Sequence, residues 1–143
     1  MTESIGYTSG VFDLFHIGHL NILRNAAGLC DRLIVGVTVD QLAADSKGRM
    51  PVIPFEERAE IIRAIRFVDS VVPQMDYDKV KAHDSLHFDV LFVGDDWKGS
   101  ERFEEASSKL KERGVRFVFF PYTKSTSSSL LNETLLKLRS DRT

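Results

Sequence analysis

Between Leu33 and Val39 the chain reads Leu-Ile-Val-Gly-Val-Thr-Val, a nearly continuous apolar run with none of the alternation of a strand that keeps one face in water. A strand of this kind is covered on both faces, as in a parallel sheet flanked by helices. Other short β-rich runs lie around Ile5 to Val11, Val68 to Val72, Val90 to Val93 and Val115 to Phe120. Between them, Gly18 to Leu29, Pro54 to Phe67, Tyr77 to His87 and Glu101 to Arg113 space their apolar residues for one helical face, and the Leu-rich tail from Ser127 to Arg139 adds another helix. Pro54 with Glu56 and Glu57 suits a helix first turn, where a missing N–H costs nothing and the dipole favours carboxylates. Gly114 suits a helix C-terminus. The alternation predicts an α/β fold: a Rossmann-like, doubly wound, five-stranded parallel sheet with helices on both faces, in one domain spanning residues 1–143. Ligands of such folds bind beyond the carboxyl ends of the strands. The stretch from Ala44 to Ile53, with Lys47, Gly48, Arg49 and Pro51, reads as a mobile basic loop.

Composition excludes several function classes. Nineteen Lys and Arg against 21 Asp and Glu give a net charge of −2, so the chain lacks the overall basic footprint of a nucleic-acid or anionic-membrane binder. The single cysteine, Cys30, forms no intrachain disulfide and fits a reducing compartment. No apolar run approaches the roughly 18 residues of a membrane span, and no secretory leader pattern opens the sequence. The expectation is a cytoplasmic protein with small-molecule partners.

The most informative segment runs from Thr8 to Leu20, Thr-Ser-Gly-Val-Phe-Asp-Leu-Phe-His-Ile-Gly-His-Leu, where the first strand gives way to the first helix. Backbone N–H groups at a helix start attract anions, and Gly18 carries no side chain to block a phosphate. His16 and His19 share the first turn and could donate to phosphates as charge builds in a transition state. Surface residues, a zinc pair or a capping arrangement are the plainer readings of two histidines at this spacing. His83 and His87 could also hold a metal by spacing, but a solvated helix face is the simpler account. Cys30 lacks a partner base and reads as a small buried hydrophobe. Neither a G-x-x-x-x-G-K-[ST] loop nor a G-x-G-x-x-G turn is present.

In this context the segment resembles the T-x-G-x-F-D-x-x-H-x-G-H signature of the cytidylyltransferase-like nucleotidyltransferases, and over the whole chain the bacterial glycerol-3-phosphate cytidylyltransferase family in particular. Glu57-Arg58 with Arg66-Phe67-Val68-Asp69 resembles its E-x-R and I-R-x-V-D helix, Gly94-Asp95-Asp96-Trp97-Lys98-Gly99 its G-D-D-W-x-G loop, and Thr123 to Ser129 its terminal hydroxyl-rich motif. The resemblance implies the nucleotidylyl transferase fold, a homodimer, and transfer of a cytidylyl group from CTP to a phosphorylated small alcohol, with Mg2+ bound mainly through the triphosphate. It implies His16, His19 and Lys47 as the catalytic set. Ser9, Gly10, Val11, Phe12, Gly18, Arg66, Gly94, Asp95, Thr123, Ser127 and Ser128, with the two histidines, would hold the nucleotide. Asp13, Lys47, Arg58, Asp96, Trp97 and Tyr122 would meet the acceptor. Two of these roles stay open: Arg58 serves the site or forms a structural salt bridge, and Trp97 packs on a ligand or anchors its loop. Tyr122 stands where the family has an arginine, which points to an acceptor other than glycerol-3-phosphate. Ser127-Ser128-Ser129-Leu130 also resembles a motif of adenylyltransferases acting on pantetheine phosphate. An ATP-dependent adenylyltransferase and a nucleotide-binding module without turnover are therefore the alternatives.

Overall fold

The computed structural model describes residues 3–94, 101–120 and 133–138. Five strands, β1 (Ile5–Gly10), β2 (Arg32–Thr38), β3 (Ser70–Gln74), β4 (Val90–Gly94) and β5 (Arg116–Phe120), alternate with helices α1 (Ile17–Ala27), α2 (Asp40–Lys47), α3 (Phe55–Arg63), α4 (Lys79–Leu86) and α5 (Glu101–Glu112). All pairings are parallel and the strand order is β3-β2-β1-β4-β5, so the chain reverses direction across the sheet between β1 and β4. That switch point is where a doubly wound sheet opens a ligand crevice. Residues 133–138 are helical; the rest of the expected tail helix, including Ser127 and Ser128, lies outside the described residues, as do Asp95, Asp96, Trp97, Tyr122 and Thr123. No helix of the described residues is long and apolar enough to cross a membrane.

Strand alternation sorts the core into two layers. Val35, Val37, Val90 and Phe92 pack with Leu23, Ala26 and Ile62 beneath α1 and α3. Tyr7, Leu91 and Val93 pack with Phe88, Leu110 and Val115 on the opposite face, against α4 and α5. At the amino edge the carboxylates of Asp31, Asp89 and Asp69 accept from the N–H groups of Ser4, Ile5 and Leu33, at 2.8, 2.8 and 2.7 Å. Three aspartates thus hold the strand starts in register.

Two expected boundaries are corrected. β3 runs from Ser70 to Gln74, two residues beyond the apolar run that suggested it. Pro73 lies inside it, tolerated because β3 is an edge strand where a missing N–H leaves no ladder bond broken. The basic stretch beginning at Ala44 is not all loop: α2 continues to Lys47 and ends on Gly48 in the left-handed region (φ 77°), a conformation open to glycine.

Tyr7 crosses β2 at Gly36, where an added Cβ would fall on the tyrosine hydroxyl and within 3.0 Å of its Cζ. Gly36→Ala is expected to destabilise the protein by about 1–3 kcal/mol through overpacking, measured by urea unfolding. Tyr7→Phe in the same chain removes the nearest atom and should recover part of that loss.

Candidate active site

β1 ends at Gly10 and the chain turns sharply into α1 through Phe12 and Leu14, both at positive φ (54° and 51°). Non-glycine residues in this region store strain, which persists where surrounding contacts impose it. Those contacts are on either side of the turn. The Asp13 carboxylate accepts from Val52 N–H (2.8 Å) and Ile53 N–H (2.9 Å), and the Phe12 ring is buried against the edge of the His19 ring.

His16 is the N-cap of α1. Its Nδ1 accepts from Gly18 N–H (3.0 Å), and Nδ1 of His19 accepts from His16 N–H (3.3 Å), so the two imidazoles form a reciprocal capping box. Their rings stack at 4.0 Å. The expectation of open helix-start amides for a phosphate is corrected here, because two of those amides are bonded to imidazole. The capping arrangement is real, and it has a chemical consequence. With each Nδ1 an acceptor, each ring carries its proton on Nε2, and the helix terminus is relayed outward through neutral N–H donors. Burial lowers the pKa of both histidines; for His19 burial comes first, then the charges of His16 and Lys47, taking it to about 4.

A cavity of about 220 Å3 opens at the carboxyl edge. It is lined by Ser9, Gly10, Val11, Phe12, Asp13, His19, Lys47 and Gly94, all singled out from the sequence, together with Thr8, Arg49, Met50 and Lys79. His16 and Gly18 are not part of this lining; His16 stacks on the His19 ring and its N–H donates to His19 Nδ1. Arg66 is exposed, over the Phe67 ring at 5.7 Å, and does not line the cavity.

Arg58 does not line it either. Its side chain is fully buried, with Nε donating to Ile53 O (2.7 Å), Nη1 to Val11 O and Thr38 O (2.7 and 2.8 Å), and Nη2 to the Asp40 carboxylate (2.6 Å). Of the two readings left open for this residue, the structural one describes its place. Asp13 is likewise engaged with backbone N–H groups, although it reaches the cavity wall. Away from the site, His83 contacts Arg113 (3.1 Å) and lies edge-on to Phe88. Cys30 is part-buried against the core, its thiol pushed up by burial.

Lys79 was not legible in the sequence as a site residue. It opens α4, donates to the Ser9 hydroxyl, lies 5.7 Å from the Tyr7 ring centroid and has a pKa lowered to about 8 by burial. A buried polar chain supports it: Thr38 Oγ1 donates to Gln74 Oε1 (2.6 Å), and Gln74 Nε2 donates to Ser9 Oγ (3.2 Å). Tyr7, at the foot of this group, has its pKa raised to about 12 by burial.

Comparison with known proteins gives the site its context. The sequence model of the family described as Cytidylyltransferase-like matches residues 7–133. The chain is 40% identical over 119 residues to the FAD synthase of Pyrococcus horikoshii, covering 79% of this chain and 77% of that one. It is 33% identical over 132 residues to the glycerol-3-phosphate cytidylyltransferase of Bacillus subtilis, covering 92% and 96%. Among solved structures, a lipopolysaccharide core biosynthesis protein from Thermoplasma volcanium superposes with a TM-score of 0.70 at 26% identity, over 87% of this chain and all of that one.

His16→Ala is expected to remove the cap and cost about 1 kcal/mol, whereas His16→Asn, which can accept the Gly18 N–H, should retain that stability in urea unfolding. Acid should also unfold the protein through His19. Its folded pKa lies below the ordinary 6.5, so between about pH 6.5 and 4 the unfolded chain binds more protons. Stability is then full above the upper value and falls on acidification through the lower, by on the order of 2–3 kcal/mol. His19→Gln should flatten that part of the pH profile.

Proposed function

This chain belongs to the cytidylyltransferase-like family, and we propose that it transfers the cytidylyl group of CTP to the phosphate of a small phosphorylated alcohol, a glycerol-3-phosphate-like polyol or amino-alcohol phosphate, releasing pyrophosphate and leaving a CDP-alcohol. The observation that carries this reading is His19, which lines the switch-point cavity with its Nδ1 locked in the α1 cap and its ring stacked on that of His16. An imidazole whose Nδ1 holds a backbone N–H offers Nε2–H as a donor and offers no free basic nitrogen. Such a pair suits charge stabilisation at a phosphoryl centre more than proton abstraction.

The proposed reaction needs no protein base. A phosphate monoester is largely dianionic near neutral pH, its second pKa being about 6. Its oxygen attacks the α-phosphorus of CTP as the bond from that phosphorus to the bridging oxygen of the β-phosphate breaks, and pyrophosphate leaves. Catalysis is then alignment and charge compensation. His19 donates to the phosphates, His16 holds His19 in place, and Lys47 and Arg49 bring cations from α2 and the loop behind it. Among the described residues no group of three His, Cys, Asp or Glu forms a metal cage. The Mg2+ of this proposal comes on the triphosphate, since this ion binds through substrate phosphates with few protein ligands. When bound it supplies further charge neutralisation.

CTP is favoured because the likeness to a glycerol-3-phosphate cytidylyltransferase covers 96% of that protein and because Gly94 opens a Gly-Asp-Asp-Trp sequence resembling that family's loop. The 40% identity to an FAD synthase favours a second reading, in which ATP supplies an adenylyl group to a flavin phosphate. Pyrophosphate release with Mg2+, using CTP or ATP against glycerol-3-phosphate, phosphoethanolamine and FMN, distinguishes them. Turnover with CTP and an alcohol phosphate is the expected result, and turnover only with ATP and FMN would replace it by the second. His19→Ala, which removes the donor on the cavity wall, should lower the rate by about 10²–10³-fold while the protein stays folded; a module that only binds nucleotide has no rate to lose.

A further inference from the structure

We propose that Tyr77 is a positioning residue for the transfer site: its hydroxyl, bonded to Ser46, anchors the end of α2 and so sets where Lys47 stands on the cavity wall. The proposal rests on the nucleotidyl-transfer reading, in which Lys47 meets the phosphates of the nucleotide, and deepens it by adding a residue that acts through that lysine from outside the cavity.

α2 is thinly attached for a helix that carries a site cation. Of its eight residues only Ala43 is buried, and its N-cap, Val39, offers no side-chain bond. At its start Asp40 is held from two directions, by the buried Arg58 guanidinium (2.6 Å) and by Phe55 N–H (3.3 Å). At its far end Ser46 meets Tyr77, hydroxyl to hydroxyl at 2.7 Å. The Ser46 hydroxyl donates to Ala43 O (3.3 Å), so its one proton is engaged and Tyr77 is the donor to Ser46.

Beyond Ser46 the chain becomes a strap along the cavity. Lys47, Arg49, Met50 and Pro51 all line it. The strap ends at Val52 and Ile53, whose N–H groups are held by the Asp13 carboxylate at 2.8 and 2.9 Å. It is thus suspended between an inner anchor at Asp13, which is buried, and an outer one at Tyr77. Lys47 adjoins the outer anchor in the same helical turn, whereas Arg49 lies past Gly48, where the left-handed backbone ends α2.

The post to which Ser46 is fastened is itself built into the fold. Tyr77 lies between two aspartates that shape the β3–α4 connection: Asp76 accepts from Asp78 N–H (2.9 Å), and Asp78 caps α4 by accepting from Val80 N–H (3.0 Å) and Lys81 N–H (3.1 Å). Neither Ser46 nor Tyr77 lines the cavity that holds Lys47; Tyr77 belongs to the wall of a second one beside α5. The tyrosine therefore reaches the phosphates through the end of α2. The charge of Lys47 is already felt in the site, since after burial and the charge of His16 it is the next cause lowering the pKa of His19. A long side chain gives to anion binding only what is left after its ordering entropy, and a backbone fixed beforehand reduces that loss.

A double-mutant cycle tests the anchor. Binding of the α,β-methylene analogues of CTP and ATP, with Mg2+, is measured by calorimetry for wild type, Tyr77→Phe, Ser46→Ala, Ser46→Thr and Lys47→Met, and for Tyr77→Phe combined with Ser46→Ala and with Lys47→Met. Tyr77→Phe and Ser46→Ala should each weaken the analogue that the wild type binds by about three- to tenfold, the range of one hydrogen bond, and together no more than either alone. Ser46→Thr keeps the hydroxyl and should stay within about twofold of wild type. With Lys47→Met already present, Tyr77→Phe should change the affinity by less than about twofold. Thermal melts should show every variant folded. In turnover, Tyr77→Phe should lower kcat/KM for the nucleotide and leave the KM of the acceptor within about twofold. Multiplying effects of Tyr77→Phe and Ser46→Ala, an undiminished effect of Tyr77→Phe beside Lys47→Met, failure of Ser46→Thr to bind as wild type does, or no weakening at all would each overturn the proposal. The full coupling without transfer from CTP or ATP would overturn the functional reading and leave the anchor, and turnover without the coupling would do the reverse. A wild type that binds neither analogue would overturn both.

Discussion

The site hangs on one buried cation that never touches it. Arg58 spends its guanidinium on the carbonyls of Val11, Thr38 and Ile53 and on Asp40, which lie just past β1, at the end of β2, ahead of α3 and at the start of α2. A single planar fork therefore fixes four chain segments around the histidine side of the crevice. Burying a guanidinium is expensive, and the cost is met only when its N–H groups all find acceptors and a counter-charge lies close. Asp13 works in the reverse sense, a buried carboxylate accepting from the N–H groups of Val52 and Ile53. Between them these two residues hold the positive-φ turn at Phe12 and Leu14 and keep the loop after Lys47 against β1.

That frame decides what kind of chemistry the histidines can do. Their Nδ1 atoms belong to the α1 cap, so protonating a ring there would break the helix start as well as add charge. The positive end of the helix dipole and burial both oppose that protonation. The pair is thereby kept neutral while the positive charge of the crevice comes from Lys47, Arg49 and Lys79. Donors fixed before a polyanion arrives need little reorganisation when charge shifts during transfer, and this is the condition under which electrostatic stabilisation is most effective.

The parallel sheet could be read from the sequence because burial on both faces leaves a run such as Leu33 to Val39 apolar throughout, and that signal is local. The turn carrying the histidines was legible for the same reason, its residues being contiguous. What escaped was set by tertiary contact. α2 buries only Ala43 and begins at Val39 without a side-chain cap, so neither periodicity nor capping residues announced it. Arg58 presents one sequence pattern whether it faces a ligand or four backbone segments, and only its burial separates the two. Lys79 sits in an ordinary-looking charged stretch; its desolvation comes from Tyr7, Ser9 and the α4 packing, which no window around residue 79 contains.

Placing β1 between two differently occupied layers has a functional consequence. Alternation sends Tyr7 to the α4–α5 side, where Gly36 makes way for its ring, while a side chain at Gly6 or Gly10 would point at Phe92 or Phe12 on the α1 side. Ser9 follows Tyr7, and its hydroxyl carries Lys79 to the common edge. Residues of α4 and α5 line a cavity of about 520 Å3 on that side, while the cap on α1 belongs to the other layer. A fold organised in this way can keep one phosphate chemistry while exchanging the organic group that the phosphate carries, and chains as alike as this one, an FAD synthase and a glycerol-3-phosphate cytidylyltransferase are what such a separation permits.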